Sequence, residues 1–249
     1  MISRRAFVGV VLAVAACSGP DHEFVPALSG RDRLVTNEYA HWNPHAADAV
    51  RSSDWDVTSG SLFVRDGFGW SGVPDAATPN ATSSAGTGSS VFRMTTRRHD
   101  FLNVAVRLQI RDLRLIGDGR FPPAATDGIH LFLRWQSPAQ LYIVSLNRRD
   151  GTLVIKKKLR GGTENGGTYA TLGQTSYPVR YGVWQPFEVQ IISSGSSLVT
   201  IIVRQGDREL VRAVDDGGSG LMILQPGSVG IRGDNCEFEF RDFSVRQLA

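Results

Sequence analysis

The feature that most constrains this chain is the alternation of its side chains. From Asn103 to Arg111, Val104, Val106, Leu108 and Ile110 point one way, and Asn103, Arg107, Gln109 and Arg111 point the other. From Gly128 to Gln136, Ile129, Leu131, Leu133 and Trp135 share one face, and His130, Phe132, Arg134 and Gln136 share the opposite one. A period of two suits a half-buried β-strand and is incompatible with an amphipathic helix, whose apolar stripe repeats every three to four residues. Leu141–Arg148 and Leu153–Leu159 read the same way on either side of Arg149-Asp150-Gly151, and Asp-Gly favours a tight hairpin. Phe187–Ile192 and Leu198–Arg204 flank a turn at Ser193–Ser197. Gly206-Asp207 marks another turn, and Val229–Arg232 and Glu237–Val245 close the series. His41–Val50 has room for one short helix, while Ser71–Ser90 and Gly161–Pro178 read as long loops. Such a run of short strands predicts an all-β fold, a two-sheet antiparallel β-sandwich of the jelly-roll kind.

The N-terminus stands apart from this pattern. Arg4 and Arg5 precede an apolar run, Ala6–Ala16, that ends in small residues before Cys17. This is the layout of an export signal, and it falls short of the about 20 apolar residues a membrane span needs. The expected organisation is a signal peptide over 1–16, a flexible tether over 17–30 and one sandwich domain over 31–249. Hydrophobic residues make up 41% of the 249, enough for a sizeable core. Loss of Arg4 and Arg5 with the signal lowers the formal charge of +3 to about +1. Net charge therefore offers no case for nucleic acid as a partner. The only other cysteine, Cys236, alternates with Phe238 and Phe240 and is expected to pack as a small core residue.

Two N-terminal motifs and a set of interior phrases carry resemblances. Leu12–Cys17 resembles a bacterial lipobox, which implies lipidation of Cys17 and a membrane partner through that lipid. Ser3-Arg4-Arg5-Ala6-Phe7-Val8 resembles a twin-arginine export motif, with Gly9 where lysine is frequent. Trp55–Leu62, Gly67–Trp70, Asp100–Asn103, Tyr142–Gly151, Lys156–Lys158, Gly230–Asn235 and Phe240–Val245 follow one another in an order that resembles the concanavalin A-like lectin/glucanase superfamily, in particular its laminin-G-like and sugar-active jelly rolls. The resemblance covers about Leu34 to Val245 and implies the same sandwich and an association with carbohydrate, while one fold hosts many activities. The Glu-x-Asp-x-x-Glu strand of the laminarinase-type relatives is absent. Gly128-Ile129-His130 stands where alginate-lyase relatives carry Gln-Ile-His.

These readings single out candidate ligand-binding residues. Arg107 and Gln109 on one strand, with His130, Arg134 and Gln136 on another, would line a groove of cationic and amide donors if both strands shared one concave sheet. Such donors suit sugar hydroxyls and uronate carboxylates. Of Trp42, Trp55, Trp70, Trp135 and Trp184, Trp70 beside the Ser71–Ser90 loop is the candidate stacking platform, with Trp55 and Trp135 expected in the core. Lys156-Lys157-Lys158 reads as a charged strand end blunting a sheet edge, with an anionic glycan as the alternative reason for it. Asp216, Asp234, Asn235 and Asp242 are candidates for a structural calcium, and no other cofactor is expected. The expectation is thus an exported, lipid-anchored protein of the cell membrane or surface that binds a polysaccharide, neutral or anionic. The competing readings are a polysaccharide lyase or atypical glycosidase, and an envelope protein-interaction domain.

Overall fold

The computed structural model describes residues 23–28, 30–73, 91–117, 122–164 and 166–248. The signal segment, Cys17 and most of the Ser71–Ser90 loop lie outside the described residues. The chain folds as an all-β, two-sheet antiparallel sandwich.

The front sheet has seven strands. In spatial order they are β11 (Gly167–Ser176), β10 (Thr152–Glu164), β9 (Gln140–Arg148), β8 (Gly128–Ser137), β15 (Ser228–Asp234), β6 (Val91–Thr96) and β3 (Trp55–Ser59). The back sheet has nine. Its order is β14 (Arg208–Asp215), β13 (Leu198–Gln205), β12 (Gln185–Ser194), β7 (Val104–Leu115), β16 (Cys236–Gln247), β5 (Phe68–Trp70), β4 (Ser61–Arg65) and β2 (Arg33–Asn37), with β1 (Glu23–Phe24) also paired to β16. One helical turn, α1 (Tyr39–Trp42), overlaps only the start of the short helix expected over His41–Val50, and residues 43–50 are turn and irregular chain.

The inward faces are the apolar halves of the alternating strands. Val104, Val106, Leu108 and Ile110 of β7 meet Ile129, Leu131 and Leu133 of β8 in one core with Trp55, Met94, Phe238 and Phe240. Cys236 is buried in that core, as its alternation with the phenylalanines requires. Phe24 packs edge-on against Trp55 with centroids 6.2 Å apart, so Glu23 and Phe24 belong to the fold rather than to the expected tether. Where β8 and β9 pair closely, Gly128 has φ +140° and a Cβ there would lie 1.7 Å from the Asn147 carbonyl oxygen. Glycine alone fits that position.

Three local expectations are corrected. The Gly161–Pro178 segment is largely the β10–β11 hairpin rather than a loop, its Gly pairs standing at irregularities in the ladder. β10 is an interior strand, so Lys156–Lys158 blunts no edge, and Lys157 points into the sandwich. A bulge interrupts β8 after Leu133, with Arg134 at φ +45°. A single extra residue reverses which face each later side chain occupies. Arg134 therefore turns inward and Trp135 outward, opposite to the uninterrupted alternation.

Candidate functional site

The outer face of the front sheet carries three rows of side chains brought together by strand pairing. Arg93 of β6, Arg232 of β15, His130 of β8 and Ser145 of β9 are successive cross-strand partners. In the next row Phe132 pairs with Ile143, and Ile143 with Lys156 of β10. In the third, Leu141 pairs with Lys158, and Lys158 with Tyr169 of β11. Period-two geometry puts all of them on one surface. Phe132, Leu141 and Ile143 form a small apolar cluster separate from the main core, with Trp135 and Tyr169 packed against it. Phe132, Ile143 and Tyr169 of this floor line a groove of about 530 Å³ together with Ala124, Thr126, Asp127, Thr163 and Glu164, while Leu141 and Trp135 line a small recess beside it.

Cations stand over that floor. Lys156 Nζ and Lys158 Nζ lie 5.4 and 5.0 Å from the Tyr169 ring centroid, within cation–π range. Lys158 Nζ donates to the Pro138 carbonyl at 2.8 Å. Arg93 Nε donates to Thr58 Oγ1 at 2.8 Å. Arg232 Nε donates to Asp234 Oδ1 at 2.7 Å, while Asp234 Oδ2 is 3.3 Å from His130 Nε2 and His130 Nδ1 is 2.8 Å from Ser145 Oγ. Both ring nitrogens of His130 are thus engaged, and the chain Ser145–His130–Asp234 ends on the Arg232 guanidinium it holds in place.

The charges act on one another. Burial, and then the neighbouring Arg148 and Arg232, lower the Lys156 ammonium to about 8. Burial followed by Arg232 and Arg93 lowers Lys158 to about 8. Burial and Arg232 together bring Arg93 down to about 10. Burial opposes the charge of Arg232 too, yet the Asp234 carboxylate raises it above its ordinary value. Asp234 is held well below the usual carboxylate range by Arg232 and His130 despite its burial. Burial lowers His130, against the pull of Asp234, and favours the neutral ring. Among the described residues neither Arg93 nor Lys156 forms an ion pair. Like charges partly withdrawn from water and crowded together repel, and an anion laid among them would relieve that repulsion.

The five residues expected to line one groove do not converge, and Trp70 does not join them. His130 lies in the groove wall. Arg134 is buried inside the sandwich, donating to the Leu102 and Ile223 carbonyls at 2.9 and 2.8 Å and to Ser193 Oγ at 2.8 Å. Gln136 caps the Pro226 carbonyl at 2.7 Å. Arg107 and Gln109 belong to the back sheet and lie on its outer face, paired with Glu188 at 2.6 Å and Asp242 at 2.8 Å beside a shallow trough. Trp70 is on that back face as well, with the Arg65 guanidinium 4.0 Å from its ring centroid and its Nε1 donating to Glu237 at 3.0 Å. The premise that fails is a shared sheet for β7 and β8, because alternation does not say which sheet a strand joins.

The calcium candidates are also dispersed in their bonding. Asp216 accepts from the Gly218 amide, Asp234 from Arg232, and Asp242 from Gln109, while Asn235 donates to Asp127 at 3.0 Å. Among the described residues no three His, Cys, Asp or Glu side chains gather to hold a metal ion.

No protein-family profile and no curated protein sequence matches the chain. Solved structures do. The carbohydrate binding module CBM66 from Bacillus subtilis superposes with a TM-score of 0.50 at 10% identity, over 78% of this chain and 95% of that one. A point mutant of the Emp46p carbohydrate recognition domain superposes with a TM-score of 0.53 at 8% identity, over 92% of this chain and 97% of that one. At such identities the likeness is one of fold, a lectin-like jelly roll.

Proposed function

We propose that this chain is an exported, lipid-anchored carbohydrate-binding protein, and that it holds an acidic polysaccharide in the groove on the outer face of the front sheet. The observation that carries the reading is the placing of four cations on one sheet face around the Phe132–Leu141–Ile143 cluster, with Lys156 and Arg232 lining the groove and Arg93 and Lys158 lining a small recess beside it. A pyranose ring has an apolar face and a hydroxyl-bearing edge, and a uronate or sulfate ester adds an anion. The Trp135 and Tyr169 rings suit the first, and guanidinium and ammonium groups the second. Lys156 and Lys158 hold depressed proton affinities without a ligand, so an anion gains by restoring them. The likeness in fold to a carbohydrate binding module and a carbohydrate recognition domain supports a sugar as the ligand. Export rests on residues 1–16, and anchoring on Cys17.

Of the residues expected from the sequence, His130 belongs to this proposed site, where it positions Arg232. With both its nitrogens engaged it offers no free base to a substrate, which favours binding over cleavage. Titrating the mature domain with polyuronate, sulfated and neutral glucan oligosaccharides tests the reading. Binding is expected for the acidic chains and is lost in the Arg93→Ala/Arg232→Ala double variant. Equal affinity for neutral glucan would remove the charge argument. Shortening of the polyuronate would replace binding with catalysis.

A further inference from the structure

Lys157 and Asp215 meet in the dry interior between the sheets, away from the groove. Lys157 continues the inward face of β10 after Leu153 and Ile155, and Asp215 ends β14 of the back sheet. Lys157 Nζ is 2.8 Å from Asp215 Oδ1, and the two side chains are 0% and 1% exposed. The Tyr142 hydroxyl donates to the other oxygen, Asp215 Oδ2, at 2.6 Å and accepts from the Ile223 amide at 3.2 Å. Lys157 Nζ also donates to the Gly220 carbonyl at 2.7 Å, and the Gly217 amide donates to Asp215 Oδ1 at 3.1 Å. Every polar atom of the pair is thus oriented, and Leu153, Ile155, Ala213 and Ile223 belong to the surrounding core. Desolvation offsets much of the attraction between two charges in such a place. Moving one proton from the ammonium to the carboxylate leaves a free amine against a neutral acid.

We infer that Lys157 and Asp215 condense to an intramolecular amide, a covalent cross-link between the front and back sheets. The ammonium gives one proton to Oδ1. The Nζ lone pair then attacks Asp215 Cγ, whose Oδ2 is polarised by the Tyr142 hydroxyl. When the tetrahedral intermediate collapses, a second proton passes from Nζ to Oδ1. The Cγ–Oδ1 bond breaks and Oδ1 leaves as water, with Nζ–Cγ formed in its place. The third hydrogen stays on the new amide, where the Gly220 carbonyl already accepts it, and Oδ2 becomes the amide oxygen facing Tyr142. No oxidant, metal or cofactor enters the balance. Burial and the hydrogen bond to Asp215 push the Tyr142 phenol up, so it remains a proton-bearing donor throughout.

Mass spectrometry of the full folded chain decides the matter. The expected result is a pair of tryptic peptides joined through Lys157 and Asp215, weighing about 18 Da (one water) less than the two together, with no cleavage after Lys157. Tyr142→Phe should slow formation of the joined species, and Lys157→Met should abolish it. Quantitative tryptic cleavage after Lys157 in protein that was folded and aged before denaturation would overturn the inference, leaving an ordinary buried ion pair. The wild-type readout suffices even where a variant fails to fold.

Discussion

On the proposed function, raising the pH from 7 to 9 should cost the site much of its affinity for an acidic glycan, by an amount set by Lys156 and Lys158. With its ammonium lowered to about 8, Lys156 is about 90% charged at pH 7 and about 10% charged at pH 9. A carboxylate bound beside it restores the ordinary value near 10.4, so the complex keeps the proton over this range. Linkage then weakens the dissociation constant about tenfold through Lys156 alone, or about 1.4 kcal/mol. Lys158, lowered to about the same value, adds up to another factor of about ten, less where its hydrogen bond to Pro138 keeps it from the ligand. An ordinary surface lysine would change affinity by only about 4% across the same span. The assay is calorimetric titration of a polyuronate oligosaccharide at fixed ionic strength, in wild type and in Lys156→Met. The variant should bind more weakly at pH 7 and lose about one decade of the pH dependence. A wild-type dissociation constant that stays within about twofold between pH 7 and 9, in protein shown by circular dichroism to be folded, would refute the reasoning.

The remaining predictions concern stability. Burial raises the Asp112 carboxyl to about 7, so the native state keeps a proton that the unfolded chain releases near pH 4. Wild type should therefore lose stability as pH rises from 4 to 8. Asp112→Asn should escape that loss, gaining up to about 4 kcal/mol at pH 8; parallel slopes for the two proteins in urea melts at pH 5 and 8 would sink the idea. Arg134→Met strips donors from the buried Ile223 and partly buried Leu102 carbonyls, and should lower unfolding free energy by about 2–4 kcal/mol; a change below about 0.5 kcal/mol would mean that solvent reaches both. Gly128→Ala forces a methyl to within 1.7 Å of the Asn147 oxygen, at a φ that L residues rarely adopt. It should lower the melting temperature by at least about 10 °C or prevent folding, and a near-native melt would show that β8 and β9 can separate there.

Alternation made the strands legible because burial on one face acts on every second residue, wherever the strand sits. Val104–Ile110, Ile129–Leu133 and Phe238–Phe240 lie in the core that their pattern predicts. The site was less legible because it is built by pairing between strands distant in the chain. Arg93, Arg232 and His130 become neighbours only through β6–β15 and β15–β8, and no local spacing marks that. Lys156 and Lys158 carried one usable signal, their common face opposite Lys157. That parity holds in the structure, whereas the edge position assigned to the run does not. Arg107 and Gln109 share a face as expected, and it belongs to the other sheet.

The bulge in β8 links the groove to the core more closely than the strand pattern suggests. Had the alternation continued past Leu133, Arg134 would stand outside beside Phe132, and the Trp135 indole would enter the sandwich. With one residue at positive φ, the guanidinium goes inward to the Leu102 and Ile223 carbonyls, and the indole goes outward to the apolar floor. The first contact ties down Ile223, in the segment that runs from the buried Asp215 to β15. The second places the indole in the small recess beside that groove. The bulge that turns Arg134 to the interior thus also places Trp135 on the outer face. Where the groove holds a glycan as proposed, substitutions at Arg134 should weaken that binding along with stability, although its side chain points into the sandwich.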